Sequence, residues 1–150
     1  MIVPMREDHI AQVAALEKLC FTDAWSEALF AEELRNPLST WLVCEENGVV
    51  TGYIGAQSVP PEADVMNLAV APDRRRQGLG TRLLCTMSEV LHKQGINALF
   101  LEVRASNSGA IALYQSQDFV QVGLRRKYYV NPPEDALILR KELTNADTFC

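Results

Sequence analysis

The sequence predicts an α+β domain, in which helices cover both faces of a mixed, mostly antiparallel sheet and so build three layers. Three observations carry this prediction. Strand-like apolar runs and amphipathic helical patterns follow one another in the order β-α-α-β-β-β-α-β-α-β-β. The pair Asn47-Gly48 separates two strand-like runs and is the strongest short signal for a hairpin. A strand, a helix and a strand in the middle of the chain predict one parallel pair with a right-handed crossover.

The N-terminal half predicts a strand, two helices and the hairpin. "MIVPM" is a short opening strand. Asp8 is placed to cap a helix that runs from about His9 to Leu19, because apolar residues recur there at helical spacing. Ser26 is placed to cap a second helix, which Asn36-Pro37 ends. The hairpin strands are "TWLVCEE" and "VVTGYIGAQSV".

The C-terminal half contains the predicted β-α-β unit. "VMNLAV" follows a turn at "PPEAD", and a helix runs from about Gly80 to Lys93, where Gly95 ends it. "ALFLEV" is a buried strand, and "SGAIALYQSQ" is a short helix. "FVQVGLRRKYYV" and "ALILRKEL" are the last strands, around a turn at "NPPED". We therefore expect a single domain over residues 1–143 and a polar tail at 144–150.

Composition excludes several classes of protein. The chain has 150 residues, of which 48% are hydrophobic and 22% charged, as in ordinary globular domains. Its formal charge of -5 argues against direct binding of nucleic acid and is compatible with a cationic substrate. The four cysteines show no CxxC spacing, which indicates free thiols and a cytoplasmic protein. No apolar run approaches about 20 residues, so no membrane span is expected. His9 and His92 lack ligand partners at usable spacing, so no metal site is expected.

The segment "PDRRRQGLGTRLL", residues 72–84, concentrates positive charge and glycine between a strand and a helix. Free backbone amides and the helix dipole favour anions at a helix start, and glycine lets the backbone approach a ligand closely. The segment therefore predicts a phosphate or pyrophosphate site. A dinucleotide fingerprint would need Gly or Ala where Leu83 stands, and the GxxxxGK[ST] loop is absent. The alternative is a surface turn whose arginines are simply solvated.

"RRQGLG" resembles the acyl-CoA pyrophosphate loop, Q/R-x-x-G-x-G/A, of the GCN5-related N-acetyltransferase (GNAT) superfamily. Within it, "FTDAWSEALFAEEL", "NLAVAPDRRRQGLGTRLL", "LEVRASNSGAIALYQSQDF" and "RRKYYVNPPEDALIL" resemble the RimI-type ribosomal-protein-alanine N-acetyltransferases. The third of these segments is the most specific. The resemblance covers about residues 3 to 143. The chain departs from the family at Ala24, where the family usually has proline before the tryptophan at Trp25.

The resemblance implies the GNAT fold, acetyl-CoA as co-substrate, and direct attack of an N-terminal alanine amine on the thioester. It implies that Glu102 is the general base, directly or through a water, and its apolar neighbours would suit proton exchange near neutral pH. Position alone favours a strand carboxylate paired with Arg104. The resemblance implies that Tyr114 is the general acid for the coenzyme A thiolate, where position alone predicts a core aromatic residue.

Cofactor contacts are implied from three places in the chain. The strand backbone of Leu68, Ala69 and Val70 is expected to hold the pantetheine arm and the thioester carbonyl. Asn107 is expected to contact the cofactor as well as to cap its helix. The remaining residues belong to the glycine-containing loop: Arg75, Arg76, Gln77, Gly78, Leu79, Gly80 and Thr81.

The implied partner is the basic N-terminal peptide of a small-subunit ribosomal protein, and a monomer is favoured. Four acidic residues are candidates for contacting that peptide: Glu45, Glu46, Glu62 and Asp64. Of Tyr128 and Tyr129, one ring is expected to face the core and the other to line the peptide groove. Two alternatives stay open at this point. One is a GNAT acetyltransferase for lysine side chains, polyamines or other small amines, and the other is a catalytically silent acyl-CoA-binding module.

Overall fold

The computed structural model of the protein describes residues 1–143, and the predicted polar tail at 144–150 lies outside the described residues. Seven strands and four helices form within residues 1–143, together with short 3₁₀ turns at Glu7–His9 and Pro72–Arg74. In chain order they are β1 (Ile2–Pro4), α1 (Ile10–Cys20), α2 (Glu27–Leu34), β2 (Ser39–Glu46), β3 (Val49–Val59), β4 (Glu62–Val70), α3 (Leu79–Lys93), β5 (Ala98–Arg104), α4 (Ser108–Ser116), β6 (Val120–Val130) and β7 (Pro133–Glu142).

The seven strands form one sheet in the order β1-β2-β3-β4-β5-β7-β6. Only β4 and β5 pair in parallel, and every other neighbouring pair is antiparallel. The parallel pair is joined through α3, since antiparallel strands accept short turns whereas parallel strands need a crossover. The predicted mixed, mostly antiparallel sheet with one central β-α-β unit is confirmed.

Two apolar clusters pack the helices against opposite faces of the sheet. The larger cluster lies on the side of α3 and includes Leu83, Met87 and Leu91, all 0% exposed. The second lies under α1 and α2 and contains Val13 and Phe30. Helices on both faces of the sheet are the predicted three-layer arrangement.

Helix starts follow the sequence signals at two of three places. Ser26 Oγ accepts a hydrogen bond from Leu29 N at 3.2 Å, and Asn107 Oδ1 accepts one from Ala110 N at 3.2 Å. The cap predicted at Asp8 is wrong, because this residue lies inside the 3₁₀ turn that precedes α1. His9 stands at the N-cap instead, without a side-chain cap bond, since its Nδ1 accepts from Arg6 N at 2.9 Å.

Two strands are longer than the sequence predicts. The hairpin pairs Val59↔Glu62 and Val130↔Pro133 leave only two residues in each turn. The ladder therefore continues through much of the segments that had been read as turns at "PPEAD" and "NPPED", because a two-residue loop keeps the flanking strands paired up to the turn.

The cysteines differ from the expectation at one position. Cys20 and Cys44 are free thiols, whereas Cys85 is disulfide-bonded. The missing CxxC spacing was a poor guide here, since spacing says nothing about bonds between residues distant in sequence. Cys150 lies outside the described residues. No helix within residues 1–143 is long and apolar enough to cross a membrane.

Candidate active site

The parallel strands β4 and β5 pair at one end and diverge at the other, in the shape of a V. The space between the diverging ends forms the candidate site. β4 and β5 pair only from Glu62↔Ala98 to Asp64↔Phe100. Beyond this point β4 carries a bulge, because Gly55 and Ala56 on β3 face Asn67 and Val65, which leaves Met66 as the extra residue. A bulge bends the strand that contains it, so β4 turns away from β5.

We call the space between the diverging strands the inter-strand cleft. It has a volume of about 550 Å³ and is lined by residues of β4, β5, the segment after α1 and the turn at residues 131 and 132. Glu102, Tyr114 and Tyr129 all line it. The structure thus brings both sequence-predicted catalytic side chains to one cavity, together with one of the two adjacent tyrosines.

A second cavity, which we call the glycine-loop cleft, lies between the end of β4, the loop before α3 and the helix α4, and measures about 680 Å³. All but one of the predicted cofactor-binding residues line it: Leu68, Ala69, Val70, Arg75, Arg76, Gly78, Leu79, Gly80, Thr81 and Asn107. The exception is Gln77, which is exposed and is not among the lining residues. The two cavities adjoin, since both are lined by Cys20, Leu68 and Tyr114.

The backbone of the loop turns sharply into α3 and leaves amides without helical partners there. Gly78 caps α3 with φ +76°, and Arg76 has φ +65°, so two residues of this short segment adopt left-handed conformations. The first helical bond runs from Arg82 N to Gly78 O at 3.0 Å, and amides before it lack an intrahelical acceptor. A Cβ added at Gly80 would lie 3.4 Å from Leu113 Cδ2 and 3.8 Å from Val70 Cγ2. A methyl group at Gly80 therefore fits at van der Waals contact with these two side chains, which line the same cleft.

The three arginines of this loop have different partners. Arg74 forms an ion pair with Glu46 on the β2–β3 hairpin. Arg75 donates to Val70 O at 3.3 Å and to Cys20 Sγ at 3.5 Å, so its side chain folds along the rim of the glycine-loop cleft. Arg76 is exposed. Of the three, only Arg74 has its charge matched by a carboxylate among the ion pairs of residues 1–143.

Glu102 differs from the prediction in its surroundings. Its side chain is 30% exposed, and Oε2 lies 3.4 Å from Arg125 Nε. The alternative partner Arg104 instead pairs with Glu134 at 3.4 Å and stacks over the ring of Tyr129, 4.2 Å from the centroid. The reason is strand alternation: Leu101 and Val103 face the buried cluster, so the residue between them points to the other face of the sheet.

Tyr114 packs in the core, as its position predicts, and also lines the clefts, where the family resemblance implies a general acid. Its ring packs against Phe119, with centroids 5.7 Å apart, and so contributes to the core. It also lines both clefts. Burial, with a smaller effect of Tyr129, raises the pKa of Tyr114 to about 12. The phenol is therefore a proton-bearing group at any physiological pH.

A model of the acetyltransferase (GNAT) family matches residues 10–119, which is most of the chain. The chain belongs to the GNAT family. The [ribosomal protein bS18]-alanine N-acetyltransferase of Escherichia coli K12 is 40% identical over 126 residues, covering 83% of this chain and 84% of that protein. The N-alpha-acetyltransferase RimI of Mycobacterium tuberculosis is 36% identical over 135 residues, covering 86% and 84%.

Solved GNAT structures agree with the fold over almost the whole chain. The crystal structure of the ribosomal-protein-S18-alanine N-acetyltransferase from Escherichia coli superposes with a TM-score of 0.89 at 35% identity, covering 97% of this chain and 95% of that one. As a GNAT protein the chain is an N-acetyltransferase, as expected from the glycine-containing loop and the segments around it.

Sequence reasoning missed two acidic residues that line the inter-strand cleft, Asp23 and Glu17. Glu17 on α1 lines the inter-strand cleft although it is only 2% exposed. A signal existed, because Glu17 follows Val13 by four residues on the apolar side of the predicted helix, where a charged residue is unusual. Asn67, whose side-chain amide donates hydrogen bonds to Glu17, lies at the bulge of β4. No local pattern in the sequence indicated this bulge.

The four acidic residues proposed to contact a peptide fall into two groups. Glu45 and Glu46 lie on the β2–β3 hairpin and are already partnered, Glu45 by Arg6 and the ring of His9, and Glu46 by Arg74. Glu62 and Asp64 lie at the narrow end of the V, where β4 still pairs with β5. Burial and the neighbouring Glu62 raise the pKa of Asp64. Within residues 1–143 no cluster of side chains could hold a metal ion.

Proposed function

We propose that this GNAT enzyme acetylates the N-terminal alanine of a small-subunit ribosomal protein, with acetyl-CoA as the acetyl donor. The observation that carries the proposal is the junction of the two clefts at Tyr114, where a groove suited to a peptide meets a cleft suited to a pyrophosphate. Relatives named as bS18-alanine N-acetyltransferases, at 37 to 40% identity over more than four fifths of the chain, support the choice of acceptor.

The glycine-loop cleft fits acetyl-CoA, which supplies an activated acetyl group when bound. The amides at the start of α3 and the side chains of Arg75 and Arg76 would hold the pyrophosphate, since both offer positive charge to an anion. The backbone of Leu68, Ala69 and Val70 would hold the pantetheine arm as an added strand-like segment along the edge that β4 exposes where it leaves β5. Asn107 keeps its amide Nδ2 available beside the cleft, because the cap bond uses Oδ1.

The amine must lose its positive charge before it can attack. An N-terminal amine has a pKa of about 8 against about 10.4 for lysine, so a useful fraction is already neutral near pH 7. Glu102 accepts the remaining proton, directly or through a water, and its partial exposure gives that proton a route to solvent. Arg125 keeps the carboxylate in place beside the inter-strand cleft.

Tyr114 serves the leaving sulfur. With a pKa of about 12 it carries its proton throughout the cycle and donates a hydrogen bond where negative charge develops. An ordinary thiol has a pKa of about 8.5, well below that of this phenol, so the thiolate takes the phenol proton only weakly. Tyr114 therefore first stabilises the charge on sulfur through a hydrogen bond, before any proton transfer is complete. The amine nitrogen forms the new bond to the acetyl carbon, and the bond from that carbon to sulfur breaks.

The acceptor peptide would enter between the segment after α1 and the β6–β7 turn. These walls touch at one point, where Thr22 Oγ1 donates to Asn131 O at 3.4 Å. Asp23, Glu102 and Tyr129 line the groove, which gives a cationic N-terminus two carboxylates and one phenol. We also propose that the enzyme is a cytoplasmic monomer with one domain over residues 1–143, and that it meets the peptide without contacting nucleic acid.

A panel of acceptors tests the proposal. Acetyl transfer would be measured for a basic peptide that begins with alanine, a peptide with a blocked N-terminus and an internal lysine, and spermidine. We expect the highest kcat/KM for the first. Preference for lysine or spermidine would move the assignment to the alternative acceptors, and absence of transfer with intact acetyl-CoA binding would favour the silent module.

A further inference from the structure

Glu17 is a buried carboxylate that the chemistry above does not use. Four hydrogen bonds reach it from three parts of the chain. Tyr53 on β3 donates its hydroxyl to Oε1, Asn67 Nδ2 on β4 donates to both oxygens at 2.9 and 3.0 Å, and Trp25 N donates to Oε2 at 3.1 Å. In all four bonds a Glu17 oxygen is the acceptor.

If Glu17 contributed to stability alone, its burial would carry a high free-energy cost for little gain. No ion pair within residues 1–143 includes Glu17, so its charge is held by neutral donors only. The surroundings are aromatic, with the Trp25 and Trp41 ring centroids 5.6 Å apart and Phe30 and Tyr53 at 5.9 Å. Burying a charge without a cation carries a large desolvation cost, and an apolar residue would pack here at less cost.

Two partners of Glu17 belong to segments that line the inter-strand cleft, β4 and the segment after α1. Asn67 lies at the bulge that turns β4 away from β5, opposite Gly55, where a Cβ would collide with the Trp41 ring at 2.2 Å. Trp25 ends the segment after α1, which also lines this cleft. One carboxylate thus fixes the bulged strand and the end of the loop relative to each other.

We propose that Glu17 is a positioning residue for the acceptor, which fixes β4 and the segment after α1 relative to each other and so the size of N-terminal residue that the inter-strand cleft admits. The proposal rests on the proposed function, and it concerns the acceptor cleft only. The residues that line the glycine-loop cleft include neither Glu17 nor Asn67 nor Trp25. A change at Glu17 should therefore alter recognition of the peptide and spare binding of acetyl-CoA.

Glu17→Gln is the first test, because it keeps the shape and turns one acceptor oxygen into a donor that faces another donor. We expect the KM of the alanine peptide to rise about tenfold, the size expected when a buried donor loses its acceptor. The KM of acetyl-CoA should stay within about twofold. The preference for N-terminal alanine over N-terminal valine should fall, because β4 and the segment after α1 are no longer fixed relative to each other.

The double variant Glu17→Gln with Asn67→Asp should restore the hydrogen bonds between positions 17 and 67. It exchanges the charge between the partners, so the glutamine amide donates to the new carboxylate while its oxygen still accepts from Trp25 N. The acceptor KM and the alanine preference should return most of the way to the wild-type values. Ile96→Val is the matched control, since Ile96 is 1% exposed in the cluster on the α3 side and lines neither cleft.

Three results would overturn the proposal: an acceptor KM that rises no more than in Ile96→Val, equal rises in both KM values, or a double variant as poor as the single one. Should Glu17→Gln not fold, half-buried Asn67→Ala carries the same expectation, because it removes both bonds to β4. If the wild-type protein acetylates no N-terminal peptide, the proposed function alone falls. The two KM values are then compared with the best amine of the panel.

Discussion

Glu102 and Tyr114 line the same cleft in very different surroundings. Glu102 is partly exposed beside a guanidinium, whereas Tyr114 is packed against Phe119 and its pKa is raised to about 12 by burial. A base that must release its proton to solvent needs access to water. An acid that must keep its proton until the sulfur departs benefits from burial. The two environments therefore suit the opposite roles that we propose for these residues.

Substitution of either residue should lower turnover without unfolding the protein. Tyr114→Phe removes only the proton donor, so kcat should fall by about 10²–10⁴-fold while acetyl-CoA binding is unchanged. Glu102→Gln should lower turnover most at low pH, where more of the amine must be deprotonated. Steady-state rates across pH, with calorimetric binding of acetyl-CoA, would measure both. Near wild-type rates in both variants would show that Glu102 and Tyr114 take no part in catalysis and are only a strand carboxylate and a core tyrosine.

The raised pKa of Tyr114 also predicts how stability changes at high pH. An unfolded tyrosine loses its proton near pH 10 and the folded one near pH 12, so the folded state binds more protons in between. Stability is fully present below pH 10 and falls as pH rises towards 12. At pH 11 the loss from Tyr114 alone is about 1.4 kcal/mol. The free energy of unfolding, measured by chemical denaturation at several pH values, should fall more steeply with pH in wild type than in Tyr114→Phe. The same pH dependence in both proteins would contradict the raised pKa of Tyr114.

At the scale of elements, the start of α3 and the end of β4 form the walls of the glycine-loop cleft. The left-handed conformation at Gly78 turns the chain into the helix, and Gly80 lines the cleft without a side chain of its own. Gly80→Val should reduce acetyl-CoA affinity sharply, because the branched side chain fills the space in front of the loop amides. The fold should survive, since the change projects into the cleft. Calorimetric titration and a thermal unfolding curve measure the two expectations.

Gly80→Ala is the graded control for this prediction. Its Cβ would meet Leu113 at 3.4 Å and Val70 at 3.8 Å, which are ordinary van der Waals distances. Affinity should therefore fall far less than in Gly80→Val. Equal affinity of all three proteins for acetyl-CoA would remove the pyrophosphate assignment of this loop.

At the scale of the whole molecule, an acidic protein carries a basic loop at one cavity. Arg75 and Arg76 concentrate positive charge at the glycine-loop cleft, whereas Asp23 and Glu102 line the inter-strand cleft. The sequence places three arginines in this loop, but the ion pair with Glu46 neutralises the charge of Arg74. Opposite fields at two adjoining cavities steer an anionic and a cationic substrate to different sides.

Salt should therefore weaken binding of a basic peptide. Charges at the surface are screened over about 8 Å at physiological ionic strength, so the KM of a basic alanine peptide should rise with added salt. A neutral peptide with the same first residue should respond much less. Charge reversal at Glu62 and Asp64 should weaken the basic peptide selectively and leave acetyl-CoA binding alone. The steering idea fails if both peptides show the same salt dependence.

The sequence by itself determined the order of elements, the β2–β3 hairpin, the parallel unit and the loop at residues 76 to 80, because each depends on local patterns such as Asn47-Gly48 and the glycines before α3. It also named Glu102 and Tyr114 through the segments that resemble the family. Whether these residues carry the chemistry stays a prediction that the kinetic variants test.

Tertiary structure alone decided which charges are paired and which segments are fixed relative to each other. Arg125, and not Arg104, pairs with Glu102, because the two residues meet only when β6 folds back beside β7, which lies between it and β5. Glu17 meets Asn67 only across α1 and the bulge of β4, 50 residues apart in the chain. Such contacts depend on register and on strand bending, and both are set by packing of the whole sheet and not by any local run of residues.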